Sequence, residues 1–238
     1  MSGAFAGQLA LVTGASKGIG AATAEALAAA GAHVILTARD NKALEAVEQR
    51  IYEAGGAATI APADLAEPDA IARLAAAIGR RWTSLDMLVI NAALLPQLSS
   101  VSDIDPAVYT KAITVNVLAT QALLAQFDPM LRKSADPRVI GLTSSVGTAP
   151  RPFWGAYAST KAAFEMLLNC YAQEVRNISA VRVAIVDPGA TRTAMRARAY
   201  PGEDPASVKP PEMVAQRIVQ LLGEPFASPY RVSVNQSS

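Results

Sequence analysis

Thr13-Gly14-Ala15-Ser16-Lys17-Gly18-Ile19-Gly20 is the stretch on which the fold turns, because of what stands on either side of it. The apolar run Gln8–Thr13 leads in, and the alanine-rich stretch Ile19–Ala30 follows at once with helical spacing. A strand that feeds a helix through a glycine-rich corner is the opening half of a βαβ unit. Glycines there let the backbone turn sharply and come close to a bound group. The unpaired N–H groups at the start of the helix favour an anion such as a pyrophosphate. The spacing is not G-x-G-x-x-G, so that fingerprint is absent. On chemistry alone two readings stand: a phosphate cradle, or a strand-to-helix turn with a purely structural role.

The same alternation continues along the chain. Strands are predicted over Gln8–Thr13, His33–Ala38, Ala57–Ala61, Met87–Asn91, Val139–Leu142 and Val181–Asp187. The better ones are rich in Val, Ile and Leu without strict alternation, which is how strands buried on both faces read. Between them, helices are predicted over Ile19–Ala30, Lys42–Ala54, Pro68–Arg80, Ala107–Phe127 and Tyr157–Arg176. Right-handed crossovers then give a doubly wound parallel sheet with helices on both faces, a Rossmann-like α/β fold in a single domain. Ligands in such folds bind beyond the carboxyl ends of the strands. Thr191–Pro210 is polar and rich in Pro, Gly and Arg, and reads as a loop or short helical flap over a substrate. Pro211–Leu222 resumes a helix, and Tyr230–Val234 adds a last strand.

Composition agrees with one packed unit and narrows the chemistry. Hydrophobic residues make up 51% of the 238 and charged residues 17%, the balance of a globular protein. The net charge is +1, from 21 basic and 20 acidic residues without a basic run, so no nucleic-acid or anionic-membrane surface is expected. From the residues at the amino terminus and the lack of a run of about twenty apolar residues, neither export nor a membrane span is expected. Cys170 is the only cysteine; it forms no intramolecular disulfide, is expected to be a buried structural thiol, and fits a reducing cytoplasm. With His33 the only histidine, zinc chemistry and histidine-based acyl transfer are poor expectations, and no metal is assigned.

Tyr157 and Lys161 are four residues apart at the start of a predicted helix, so they share one face with about 6 Å of rise between them. A phenol beside a cation is expected to ionise more easily than usual and so to trade protons near neutral pH. Alone, the pair reads more readily as an ordinary surface Tyr and Lys than as a catalytic one.

Taken in order, these pieces resemble the short-chain dehydrogenase/reductase family in its shorter, non-extended form. The similarity runs from Thr13-Gly14 with Gly18 and Gly20, through Asp64-Leu65, Asn91-Ala92 and Asn116. It continues through Ser144-Ser145 and Tyr157 with Lys161 to Pro188-Gly189 with Thr191 and Thr193. The family implies that Tyr157 protonates a carbonyl oxygen during reduction, that Lys161 tunes it and holds the nicotinamide ribose, and that Asn116 helps hold a proton relay. A serine hydroxyl polarises the carbonyl. Ser145 matches the second serine of the family's pair, although it stands one residue nearer Tyr157 than usual, and Ser144 is its rival. The resemblance places the cofactor against Gly14, Ser16, Lys17, Gly18, Ile19, Gly20, Arg39, Asp64, Leu65, Asn91, Ala92, Tyr157, Lys161, Pro188, Gly189, Thr191 and Thr193. Ala93 replaces the family's usual glycine.

The function implied is an NADP(H)-dependent oxidoreductase acting on a small carbonyl or alcohol. NADP(H) is expected over NAD(H) because Ala38 stands where NAD-preferring relatives place an acid, and Arg39 follows with Lys17 as a second cation. The alternative from another class is a non-catalytic dinucleotide-binding regulator of the same fold, against which Tyr157, Lys161 and Asn116 argue. Stretches 94–98, 149–154 and 191–208 are expected to close the substrate pocket. They suit a medium-sized apolar carbonyl or, alternatively, one whose acidic group pairs with Arg196 or Arg198. The apolar surface of the two longest predicted helices implies a homodimer or homotetramer.

Overall fold

The computed structural model describes residues 3–234. The strands are β1 (Leu9–Thr13), β2 (His33–Thr37), β3 (Ala57–Ile60), β4 (Met87–Ile90), β5 (Arg138–Leu142), β6 (Arg182–Asp187) and β7 (Tyr230–Ser233). They form one parallel sheet in the order β3-β2-β1-β4-β5-β6-β7. The helices α1 (Gly18–Ala29), α2 (Asn41–Glu53) and α3 (Ala70–Gly79) follow the first three strands. After β4 come α4 (Pro106–Ile113) and α5 (Ala119–Leu131), and after β5 comes α6 (Gly155–Val175). The chain ends with α7 (Ala194–Ala199), α8 (Pro211–Gly223) and β7.

Successive side chains of a strand point to opposite faces, so each strand feeds two cores. On one face Val12, Val34 and Leu36 pack with Leu27 of α1, Leu44 of α2 and Ile218 of α8. On the other, Leu11, Ile35 and Val139 pack with Leu74 of α3, Phe127 of α5 and Phe164 of α6. That double burial explains why these strands read as unbroken apolar runs. The strand order reverses between β1 and β4, which opens a crevice at their carboxyl ends. The doubly wound Rossmann-like sheet expected from the sequence is thus the observed one.

Several local expectations needed correction. The helix expected over Ala107–Phe127 is three pieces, in which a π-helical turn, Thr114–Leu118, separates α4 from α5. Asp105 caps α4 by accepting from Ala107 N at 2.7 Å and Val108 N at 3.2 Å. α5 runs past Phe127 and through Pro129 to Leu131, because burial of Phe127, Met130 and Leu131 outweighs the lost backbone donor. Helix α3 starts at Ala70, because Asp69 before it is left-handed, with φ 57°. Cys170 is exposed, on the outward face of α6, and not the buried thiol expected. His33 contacts Thr59 Oγ1 at 2.9 Å and packs against the Trp82 ring, a structural role, and burial lowers its pKa. Segment 191–210 carries α7 and a short 3₁₀ turn at 205–207, and its ends meet in a parallel bridge between Thr191 and Lys209. Among the described residues no helix is long and apolar enough to cross a membrane.

Gly141, in the middle of β5, has no space for a side chain: an added Cβ would lie 2.2 Å from Leu168 Cδ1 and 2.9 Å from Phe164 Cζ. Overpacking of this kind costs about 1–3 kcal/mol. Gly141→Ala is therefore expected to lower the free energy of unfolding by that amount, read as a lower urea midpoint, without altering the fold. A midpoint equal to that of the parent would contradict the packing described for α6 on β5.

Candidate active site

The glycine corner is built from close approaches. Gly14 has φ +67°, and Asn91 reaches across from the end of β4 to donate its amide to Thr13 O at 2.9 Å and Gly14 O at 3.2 Å. Thr13 Oγ1 accepts in turn from Asn91 N and Ala92 N, both at 3.0 Å. A Cβ at Gly20 would fall 2.2 Å from Gly14 O and 2.5 Å from the Asn91 amide nitrogen. Only glycine lets α1 start this near the corner. Helix α1 has no side-chain cap and no acidic residue in its first turn. Its leading N–H groups and positive dipole end are thus presented at the crevice, as a phosphate requires. Ser16 is half-buried within the loop, while Ile19 turns inward against the core.

Beside this corner the end of β2 presents Arg39, which is exposed and has no ion-pair partner among the described residues. Asp40 is committed elsewhere: its carboxylate accepts from Ala43 N at 3.1 Å and caps α2. Lys17 is exposed at the start of α1. Asp64 forms a local turn by accepting from Ala66 N at 3.0 Å, and Leu65 packs against the core. From Arg39 and Asp64 a cleft of about 650 Å³ runs between β3 and α3 as far as Trp82.

Across the crevice, Tyr157 and Lys161 lie on one face of α6, both buried. Lys161 Nζ donates to Leu142 O at 2.7 Å and sits 5.9 Å from the Tyr157 ring centroid. Sequence reasoning expected the lysine to make the phenol easier to ionise; instead burial pushes the Tyr157 pKa up, and the Asp187 carboxylate adds to the effect. Burial likewise lowers Lys161 to about 7, opposed by the Glu165 carboxylate. Desolvation is the leading cause of both shifts because both groups are withdrawn from water. Asn116 lies in the π-helical turn, where its Oδ1 accepts from Leu94 N at 2.7 Å. Its amide donates to Leu94 O and Thr160 Oγ1, each at 2.9 Å. Ser144 is extended at the end of β5, and Ser145 opens a 3₁₀ turn.

Segment 188–210 closes the third side. Gly189 has φ +61° and donates its N–H to Asp187 Oδ1 at 3.0 Å; Thr191 Oγ1 donates to Pro188 O at 3.1 Å. Thr193 caps α7, and its methyl group lies 3.3 Å from where a Cβ at Gly18 would sit, so this segment touches the glycine corner.

Sequence reasoning missed the polar groups behind Lys161. Glu165, one turn further along α6, accepts from Thr143 Oγ1 at 2.6 Å and from Arg231 Nε of β7 at 3.2 Å. The only sequence signal for it was its i+4 spacing from Lys161. Arg151, Trp154 and Tyr200 also gather at the mouth: Arg151 donates to Tyr200 Oη at 3.1 Å, and Trp154 stands 6.1 Å from Tyr157 and 5.8 Å from Tyr200 between ring centroids.

Comparison with known proteins gives one consistent answer. A family model for short chain dehydrogenases matches residues 8–204. The oxidoreductase YciK of Escherichia coli (strain K12) is 37% identical over 217 residues, covering 90% of this chain and 85% of that protein. A short chain dehydrogenase from Shigella flexneri, solved in complex with NADP, superposes with a TM-score of 0.91 at 34% identity, over 97% of this chain and 99% of that one. A second from Escherichia coli CFT073, solved with NADPH, gives 0.91 at 34% identity, over 97% and 98%. Matched over most of its length in sequence and in fold, this chain belongs to the short-chain dehydrogenase/reductase family of oxidoreductases.

Proposed function

We propose that the chain, as one dinucleotide-binding unit over residues 1–238 with a substrate flap at 191–210, is an NADP(H)-dependent oxidoreductase interconverting a carbonyl and an alcohol. The observation that carries this reading is the facing of two sites across one crevice. The buried pair Tyr157 and Lys161 on α6 stands opposite the uncapped start of α1, behind a turn with no room for a side chain at Gly20. The residues present fit the cofactor: free N–H groups and Gly14, Ser16, Lys17, Gly18, Ile19 and Gly20 for the phosphates, and Asp64, Leu65 and Ala92 for the adenine side. Pro188, Gly189, Thr191 and Thr193 suit the nicotinamide end, and Asn91 holds the corner itself. Bound there, NADP(H) supplies the hydride, two electrons that end on the carbonyl carbon.

The chain's own residues supply the proton and the geometry. Tyr157, its pKa raised by burial, is fully protonated at neutral pH and donates its phenolic proton to the carbonyl oxygen as negative charge develops there. Lys161 in its charged form stabilises the phenolate left behind, and the Glu165 carboxylate favours that form. Ser145, with Ser144 beside it, polarises the carbonyl by donating a hydrogen bond. Asn116 acts as a positioning residue, tying the Leu94 loop to Thr160 one turn from Tyr157. Arg39 binds the ribose 2′-phosphate; Asp40, held as the cap of α2, does not compete as a ribose acceptor. Met166 and Cys170 form an exposed stripe on α6, and Leu118 is exposed at the start of α5, which supports a homodimer or homotetramer. A cytoplasmic setting is part of the same proposal.

Three outcomes are expected. Tyr157→Phe lowers the rate of carbonyl reduction by roughly 10²–10⁴ while NADPH still binds, as read by initial rates and by fluorescence titration. Parental turnover in this variant would remove Tyr157 from the reaction, whereas a parent that binds NADPH but turns over no carbonyl would favour the non-catalytic reading. Arg39→Ala weakens NADPH about tenfold or more and leaves NADH nearly unchanged; NADH binding as tightly as NADPH in the parent would refute the role of Arg39. Light scattering at micromolar concentration shows a dimer or tetramer, and a monomer alone would contradict the assembly.

A further inference from the structure

Three arginines stand at the mouth of the crevice, and the structure separates them. Arg196 is spent: it forms a two-nitrogen ion pair with Glu203, at 2.7 and 2.5 Å, and stacks on the Tyr200 ring at 3.7 Å. Arg198 is turned onto the backbone oxygen of Leu95. Arg151 has no carboxylate within ion-pair reach among the described residues, yet its guanidinium is held in place. One nitrogen donates to Tyr200 Oη at 3.1 Å, and the other lies 3.4 Å from Ser145 Oγ. Tyr200 is fixed in turn by the Trp154 and Arg196 contacts. An uncompensated cation is thus fastened, through two hydroxyl groups, at the edge of the carbonyl site. The wall beside it is apolar, made by Leu95, Leu98, Val146 and Trp154 around Tyr157.

We propose that Arg151 is an anion anchor and that the substrate is an oxo acid, its carboxylate gripped by Arg151 while its carbonyl faces Ser145 and Tyr157. This inference rests on the oxidoreductase reading above and names the substrate class of that same site. A carbonyl oxygen bonded to Ser145 and a carboxylate bonded to Arg151 are neighbours, since the two donors are 3.4 Å apart. That spacing suits a carboxylate about one or two carbons from the carbonyl, as in a 2-oxo or 3-oxo acid. A carboxylate matches the planar donor fork of arginine, which holds its charge at every working pH. The apolar wall takes the rest of the molecule. The reduction balances as oxo acid plus NADPH plus one proton giving hydroxy acid plus NADP⁺. The carbonyl π bond opens, the hydride forms the new C–H bond, and the Tyr157 proton forms the O–H bond.

The test uses the full chain with NADPH and matched pairs differing only in charge: acetoacetate against methyl acetoacetate, and pyruvate against methyl pyruvate, with benzaldehyde as a neutral carbonyl lacking either group. For at least one pair the parent is expected to favour the acid in kcat/KM by about tenfold or more. Arg151→Gln should then lower kcat/KM for that acid by about ten- to a hundredfold and leave its ester within about threefold, while Arg151→Lys restores part of the loss. Esters turned over as well as both acids by the parent, or an equal loss for acid and ester in Arg151→Gln, would overturn the anchor and leave the oxidoreductase reading intact. No turnover of any of these carbonyls, benzaldehyde included, would overturn both.

Discussion

The Asn91 amide donates to two successive carbonyls, those of Thr13 and Gly14, and so pins the first turn of the chain to the end of β4, more than seventy residues away. The Thr13 hydroxyl answers by accepting from the two backbone N–H groups that follow β4. The turn is held so tightly that Gly20 must pass with no side chain against Gly14 O. The starting point and direction of α1 follow from that passage, and the Thr193 methyl packs against the corner so formed. Buried backbone carbonyls need donors; the asparagine meets this need for two of them while fixing the shape of the glycine corner.

On the far side of the crevice a chain of buried charges has the corresponding role. Lys161, Glu165 and Asp187 are all withdrawn from water, which is tolerable only with partners. Glu165 finds them in Thr143 and in Arg231 of the last strand, and Asp187 in the Gly189 N–H. The lysine that faces Tyr157 is thus held between the Leu142 carbonyl of β5 and the Glu165 carboxylate of its own helix, which is anchored in turn by Arg231 of β7.

The sheet was legible from sequence because burial on both faces leaves a simple mark, short apolar runs between helical stretches. The glycine corner and the Tyr157 and Lys161 pair were legible because their spacing is local. What escaped depends on contacts between distant parts of the chain. The π-helical turn at Asn116 answers to Leu94 and Thr160, not to its own neighbours. α5 continues through Pro129 because the core needs Met130 and Leu131. The expected easing of Tyr157 ionisation assumed a wet, pairwise site, whereas both partners are buried. Cys170 was expected inside because cysteines usually are, but α6 turns it outward. Arg196 and Arg198 looked available in sequence; Glu203 and the Leu95 carbonyl occupy them in space.

The bridge between Thr191 and Lys209 closes the base of segment 191–210. Arg192 N donates to Lys209 O at 2.8 Å and Lys209 Nζ to Ala190 O at 3.0 Å, so both arms of the base are clamped together, one after β6 and the other before α8. Closing a loop carries an entropic cost that grows only slowly with its length, and here the closure is made by the base itself. Between the two clamps the segment is tied down at separate points: Thr193 at the glycine corner, Arg198 on the Leu95 carbonyl and Tyr200 against Trp154. The segment works as a clasp: with its base fastened, α8 begins from a fixed point however the residues between the clamps are arranged.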